Sequence, residues 1–224
     1  MDGILLINKP KGWTSHDVVA KVRGVLRKET SLKKLKVGHA GTLDPQATGL
    51  LIILVGSYCK RAPEFLKLNK TYDVEVTLGQ TSTTDDSEGE KTPVSSAQPT
   101  KEQVNEALNK FVGEIEQIPP QFSAIKVDGK RAYSQARLGK KVDLKSRKVT
   151  IHSIKNTDYD YPHIRFTADV SSGTYIRSLA RDIGEELGVG AYMSDLERPR
   201  IDKYKLIQAV QPNVEILAKR VFQP

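Results

Sequence analysis

The chain has 224 residues, of which 38% are hydrophobic and 28% charged; it can bury a substantial core and does not have the composition of a disordered segment. Its 35 Lys and Arg outnumber 27 Asp and Glu, and a formal charge of +8 favours a polyanionic partner through phosphate contacts. No apolar run approaches the roughly 20 residues of a membrane span, the Ile4–Ile7 stretch lacks the basic start and cleavage site of a signal peptide, and a single cysteine, Cys59, excludes an internal disulfide and a cysteine-based zinc site. A cytoplasmic location is expected from this.

In chain order, residues 3–7 read as a short buried strand. Ser15 can cap a helix over about 16–28, with Val18, Val22, Val25 and Leu26 on one face. Leu50–Val55 is a continuous apolar run of strand length, and Tyr72, Val74, Val76 and Leu78 alternate with polar residues as in a half-buried strand. The polar stretch Thr81–Gln98 predicts a loop. Thr100 and Gln103 form a capping-box pair ahead of Val104, Ala107, Leu108 and Phe111 at helical spacing. Strands are predicted over 148–155 and 164–170. Ile176, Leu179, Ala180, Ile183 and Leu187 make an amphipathic helix closed by Gly188. A strand-like piece near 203–209 and a short helix after Asn213 end the chain. Strands and helices alternate without a βαβ rhythm, which predicts an α+β domain on a mixed, mostly antiparallel sheet.

Between Lys126 and Lys148 there are nine Lys or Arg and only two acids, Asp128 and Asp143, with Tyr133 among them. That composition suits either a solvated helical hairpin or a basic flap closing on a phosphate backbone, and we favour the flap.

There is no phosphate-binding glycine loop, no dinucleotide fingerprint and no His-Glu-x-x-His, and the four histidines are scattered. Nothing calls for a metal, a nucleotide or a redox cofactor, which leaves open a reaction run by side chains alone. Two stretches look odd as pure structure. The first is Gly38-His39-Ala40-Gly41-Thr42-Leu43-Asp44-Pro45-Gln46-Ala47-Thr48-Gly49, a tight glycine-rich loop in which Asp44-Pro45 alone reads as a helix cap and first-turn proline. The second, Ser171 to Arg177, leads from a strand into a helix. It puts Arg177 in the first turn, where a cation opposes the helix dipole and suggests an anion nearby.

Taken together these stretches resemble the TruB family of pseudouridine synthases. Asn8 to Ser15 resembles the family's opening motif, Gly38 to Gly49 its catalytic loop, and Lys70-Thr71-Tyr72 its second motif. Pro119 to Lys126, with Gly129, Tyr133, Ala136-Arg137 and Gly139, resembles the third, and Gly173 to Leu179 the fourth. The matches run in family order over residues 3 to about 217.

The resemblance implies a fold and a reaction. A uridine in folded RNA is flipped out, its N1–C1′ bond is cleaved, and the base is rejoined through C5. Asp44 would be the catalytic carboxylate, attacking C1′ or the base or taking a ribose proton. Arg177 would be its partner, lowering its pKa and fixing its rotamer. His39 would occupy the space the base leaves. Tyr72 would stack on the base and assist proton removal from C5, while Tyr175 and Leu196 would line the pocket. Lys126, Lys130, Arg131, Arg137, Lys140 and Lys141 would grip RNA from an insertion over about 122–148. Asp86 is given only a structural or supporting role. No cofactor, metal or protein partner is implied, and a monomer is the default.

The resemblance also predicts one catalytic domain over residues 1–224 without an appended C-terminal RNA-binding domain, and weaker RNA binding for that reason. Ser82-Thr83-Thr84 and Glu197 depart from the family pattern at RNA contacts. The expected substrate is the T-arm of tRNA, at uridine 55. The alternatives are another RNA, or an RNA-folding chaperone on the same scaffold without turnover. A glycosidase lacks a second carboxylate at a convincing position.

Overall fold

A computed structural model describes the whole chain except Lys33, Ala124, Asp128, Arg137, Lys140, Lys141 and residues 213–216; for Lys126, Lys130 and Arg131 it describes the backbone only. The elements in chain order begin with β1 (Gly3–Lys9), α1 (Ser15–Thr30), β2 (Val37–Ala40), β3 (Thr48–Val55), α2 (Ala62–Leu66) and β4 (Lys70–Leu78). Next come β5 (Gln80–Ser82), β6 (Lys91–Pro93), α3 (Lys101–Lys110), β7 (Gly113–Gln117), β8 (Lys126–Val127), β9 (Lys130–Arg131) and α4 (Ala132–Ala136). The rest are β10 (Arg147–Asp160), β11 (His163–Val170), α5 (Ile176–Glu186), β12 (Ala191–Ile201) and β13 (Tyr204–Lys205). Residue contacts divide the chain into two compact units, residues 1–72 with 196–224, and residues 73–195.

The first unit is built around β3. β1 runs antiparallel to it, from Ile4 opposite Leu54 to Lys9 opposite Gly49. β2 is antiparallel to β3 as well, and β12 joins it in parallel, with Glu197 opposite Thr48 and Arg198 opposite Gly49. Alternate side chains of β1 and β3 therefore face opposite ways. Leu5, Ile7, Leu51, Ile53 and Val55 pack with Val18, Val19, Val22 and Leu26 of α1. Ile4, Leu6, Leu50, Ile52 and Leu54 pack with Tyr58, Phe65, Ile201 and Tyr204. With both faces covered, β3 is apolar from Leu50 to Val55 rather than alternating.

In the second unit the strand order is β12, β4, β11, β10, β7. β10 is antiparallel to both β11 and β7. α3 contacts β10 and α5, and its inward stripe Val104, Ala107 and Leu108 is buried. Ile176, Leu179, Ala180 and Ile183 make the buried stripe of α5.

The α+β reading with a mixed, mostly antiparallel sheet holds, and several local expectations are corrected. The cap of α1 is Thr14, whose hydroxyl and backbone N–H exchange hydrogen bonds with Asp17, and Ser15 is a buried first residue of the helix. Asp17 at the third position explains the shift, because a helix capped by Ser15 would put Val18 there and lose the reciprocal bond. The stretch 81–98 is not all loop, since β5 and β6 pair there. The basic segment is not a helical hairpin: β8 and β9 pair, α4 follows, and Ala132, Val142 and Leu144 form a small buried cluster of their own. β13 is only two residues long and runs into a 3-10 turn, Leu206–Gln208. The helix expected after Asn213 falls on undescribed residues as far as 216, and a 3-10 turn follows over Leu217–Arg220. Among the described residues no helix is long and apolar enough to cross a membrane.

Candidate active site

Within the first unit, β2 and β3 are joined by the loop that carries Asp44. The expected helix cap at Asp44-Pro45 is a turn instead, closed by the Ala47 N–H on the Asp44 carbonyl at 3.1 Å. Four side chains or backbone groups hold the loop. The Ser15 hydroxyl donates to the Leu43 carbonyl at 3.1 Å and accepts from the Leu43 N–H at 2.9 Å. The Lys9 ammonium, wholly buried, donates to the carbonyls of Trp13 (2.6 Å), Pro10 (3.0 Å) and Pro45 (3.1 Å). The Pro45 carbonyl also accepts the Gly12 N–H at 2.8 Å. Arg198, 1% exposed, donates from Nη2 to Gly41 (2.9 Å), from Nη1 to Thr42 (3.5 Å) and from Nε to Leu50 (2.8 Å). The backbone on both sides of Asp44 is thus fixed by buried groups, so the carboxylate leaves the turn in a preset direction.

Tyr72 and Leu196 are buried in this unit too, and the Arg198 guanidinium lies 6.0 Å from the Tyr72 ring centre. His39 sits on β2 opposite Ile53, half-buried, and its Nδ1 is buried with no hydrogen-bond partner among the described residues. Burial, then the charges of Arg198 and His16, hold its pKa below the ordinary imidazole value, so the ring is neutral at neutral pH.

Burial brings Lys9 down to about 8, with Asp44 pulling the other way and Arg198 pushing it further down. Lys70, buried and donating to the Leu66 carbonyl at 2.6 Å, also comes down to about 8 through burial and the Arg198 charge. In the unfolded chain both amines hold their protons up to the ordinary 10.5. The unfolded state therefore binds more protons between pH 8 and 10.5, and stability rises with pH across that window. The urea midpoint is expected to increase between these limits, and to increase less in Lys9→Met. Equal slopes in the two proteins would remove Lys9 as a source.

The second unit holds Tyr175 and Arg177. Tyr175 precedes the first residue of α5, and both its backbone groups bond the buried Gln117 amide, N–H to Oε1 at 2.8 Å and carbonyl from Nε2 at 3.1 Å. Arg177 is 6% exposed. It makes an ion pair with Asp86 at 3.5 Å, and donates to the carbonyls of Thr84 (3.3 Å) and Phe122 (2.9 Å). A cation in the first turn of α5 does have its anion, and Asp86 supplies one. Asp86 is itself buried and accepts the Glu88 N–H at 3.0 Å.

Of the basic residues expected to grip RNA, Arg137, Lys140 and Lys141 lie outside the described residues, while Lys126, Lys130 and Arg131 lie on the β8–β9 hairpin with their side chains undescribed. Gln121 ties the base of the segment through two bonds to the Val142 backbone, at 2.8 and 2.9 Å. Charge is divided unequally between the units. The first carries 19 Lys and Arg against 8 Asp and Glu, the second 16 against 19. The positive excess of the whole chain thus belongs to the unit that carries Asp44, a feature a scan for local basic runs misses. Also missed were Lys9, Ser15, Arg198 and Gln117 as holders of the site residues.

Residues 27–176 match the family model described as TruB family pseudouridylate synthase (N terminal domain). The chain is 48% identical over 210 residues to a protein of Parabacteroides distasonis called tRNA pseudouridine synthase B, covering 93% of this chain and 89% of that one. A Bacteroides fragilis protein of the same name is 46% identical over 213 residues, covering 93% and 90%. A solved structure titled as a Cbf5-Nop10-Gar1 complex contains a chain 29% identical at a TM-score of 0.71; the match covers 93% of this chain and only 52% of that one, about half its length. With a family model spanning most of its length and relatives this close, the chain belongs to the TruB family of pseudouridylate synthases.

Proposed function

We propose that this protein converts a uridine of tRNA to pseudouridine, at uridine 55 of the T-loop, with Asp44 as the catalytic carboxylate. The reaction is an isomerisation. The N1–C1′ bond breaks, a C5–C1′ bond forms, the C5 proton leaves and N1 gains one. No oxidant, reductant or metal is needed for that balance. The observation that carries the reading is the held loop, because a carboxylate whose flanking backbone is fixed by Ser15, Lys9 and Arg198 is preorganised for attack or proton transfer. The names of the relatives support the substrate class.

Tyr72 would stack on the flipped base and help take the C5 proton, and Arg177 completes the catalytic set on the family resemblance. His39, Tyr175 and Leu196 handle the base. Lys126, Lys130, Arg131, Arg137, Lys140 and Lys141 meet the phosphate backbone, and the basic excess of residues 1–72 and 196–224 adds to the attraction. Residues 1–224 act as one catalytic domain, in the cytoplasm, as a monomer and without a protein partner. The test is incubation with an unmodified tRNA transcript, then chemical labelling of pseudouridine and primer extension. A stop at the T-loop is expected. Product elsewhere would remove the substrate, and no product in any RNA would remove the activity.

A further inference from the structure

Arg198 is one of three side chains that hold the Asp44 loop, and its surroundings give it a further part that Ser15 and Lys9 do not share. It is a fully charged side chain at 1% exposure on a strand, opposite Gly49. Taking a guanidinium out of water is costly unless its donors are matched, and its three hydrogen bonds all reach backbone carbonyls. Gly41 and Thr42 lie just before Asp44 in the loop, and Leu50 lies just after the loop on β3. One planar fork therefore grips the Asp44 loop at its entry and its exit. The same group faces the Tyr72 ring at 6.0 Å, the outer limit of a cation–π contact. An apolar side chain would fill the volume, yet it would leave the Gly41 and Thr42 carbonyls without these donors. Lysine would keep the charge and lose the fork, since one ammonium cannot span three carbonyls in the geometry of a guanidinium.

We propose that Arg198 is a positioning residue for the isomerisation, fixing the Asp44 loop and the Tyr72 ring relative to each other. The proposal rests on the activity given under Proposed function. Its consequence is kinetic. A reacting group displaced by about 1 Å costs on the order of 10²-fold in rate. RNA affinity should be untouched, because a side chain this deeply buried contacts no phosphate.

The test is single-turnover conversion of an unmodified tRNA transcript by excess protein, with RNA affinity measured by filter binding. For Arg198→Lys the expected result is a rate constant lower by about 10²-fold with affinity within twofold of wild type. A merely structural role would lower the amplitude, through a smaller folded fraction, and leave the rate constant of that fraction alone. Should Arg198→Lys melt below the assay temperature, Arg198→Gln, which keeps an N–H donor, takes its place. Gly41→Ala supplies an approach from the loop side, since Gly41 has φ +92° and its carbonyl is the Nη2 acceptor. The double variant should lose less than the product of the two single losses, because both remove one contact. A wild-type rate constant in Arg198→Lys, or losses that multiply independently, would overturn the positioning role while the activity stands. An inactive wild type would instead overturn the activity and this role with it.

Discussion

Replacing Asp44 by Asn is expected to abolish pseudouridine formation and leave the protein folded and bound to RNA. Asparagine matches aspartate in shape, so the turn at residues 44–47 and the bonds from Ser15, Lys9 and Arg198, which all go to backbone groups, survive. What disappears is the negative charge and with it any nucleophile or base. Losing such a group costs on the order of 10⁴-fold or more in rate, equivalent to about 5.5 kcal/mol of transition-state stabilisation. RNA affinity should barely change, because attraction depends on an excess of Lys and Arg that one neutralised carboxylate slightly increases. One side effect is predicted. Asp44 supports the charged form of the buried Lys9, so the variant should be modestly less stable near neutral pH. Single-turnover conversion of a tRNA transcript, read beside filter binding and a thermal melt, separates the three effects. Turnover within tenfold of wild type would remove Asp44 from the chemistry.

The parts of the fold that were legible share one property: local pattern and tertiary demand agree. β3 is covered on both faces, and Leu50–Val55 is accordingly one apolar run. α1 and α5 each bury one stripe, and each shows that stripe at helical spacing. β12 was illegible for the opposite reason. Its last seven residues include Asp195, Glu197, Arg198, Pro199 and Arg200, a composition that reads as exposed loop. Arg198 is nevertheless buried, because its hydrogen-bond acceptors lie far away in sequence at Gly41, Thr42 and Leu50. Lys9 is hidden in the same way, with one acceptor, Pro45, that no local window contains. Burial of a cation cannot be inferred from its own neighbourhood in sequence, since the default for Lys and Arg is the surface.

The candidate site divides along the same line. Motif order singled out Asp44, Tyr72 and Arg177, but not what holds them. Arg177 was read as wanting an anion from its place in the first helical turn, with Asp44 as the expected partner; within the second unit the carboxylate beside it is Asp86. The chain pattern could not name Asp86, which is 91 positions away. The Thr14 cap was within reach of sequence reasoning, because only Thr14 has an acid three residues on.

Gly49 stands beside both of the cations that hold the Asp44 loop, and replacing it by Ala should cost a large part of the protein's stability. Its partners across the sheet are Lys9 on β1 and Arg198 on β12, so it stands between the two buried cations that hold the Asp44 loop. Its φ is +102°, a conformation that side chains rarely adopt. A Cβ there would lie 2.6 Å from the Arg198 carbonyl oxygen and 2.7 Å from its nitrogen. Both are backbone atoms of a paired strand, so neither can turn aside. Either the glycine backbone changes conformation or β12 moves away from β3, and both routes pull Arg198 off the loop. Strain of about 1–3 kcal/mol from the backbone alone, with the overpacking cost of about 1–3 kcal/mol added, is a large share of the roughly 5–15 kcal/mol that holds a domain folded. A fall in melting temperature of about 10 °C is expected on the usual scale of 2–4 °C per kcal/mol for a chain of this size. Below the new transition the variant should also turn over more slowly than wild type with RNA affinity kept, since the displaced strand carries the positioning guanidinium. A melting temperature within about 2 °C of wild type would mean that β3 and β12 are not packed backbone to backbone at Gly49, and the clamp on Asp44 would lose its anchor.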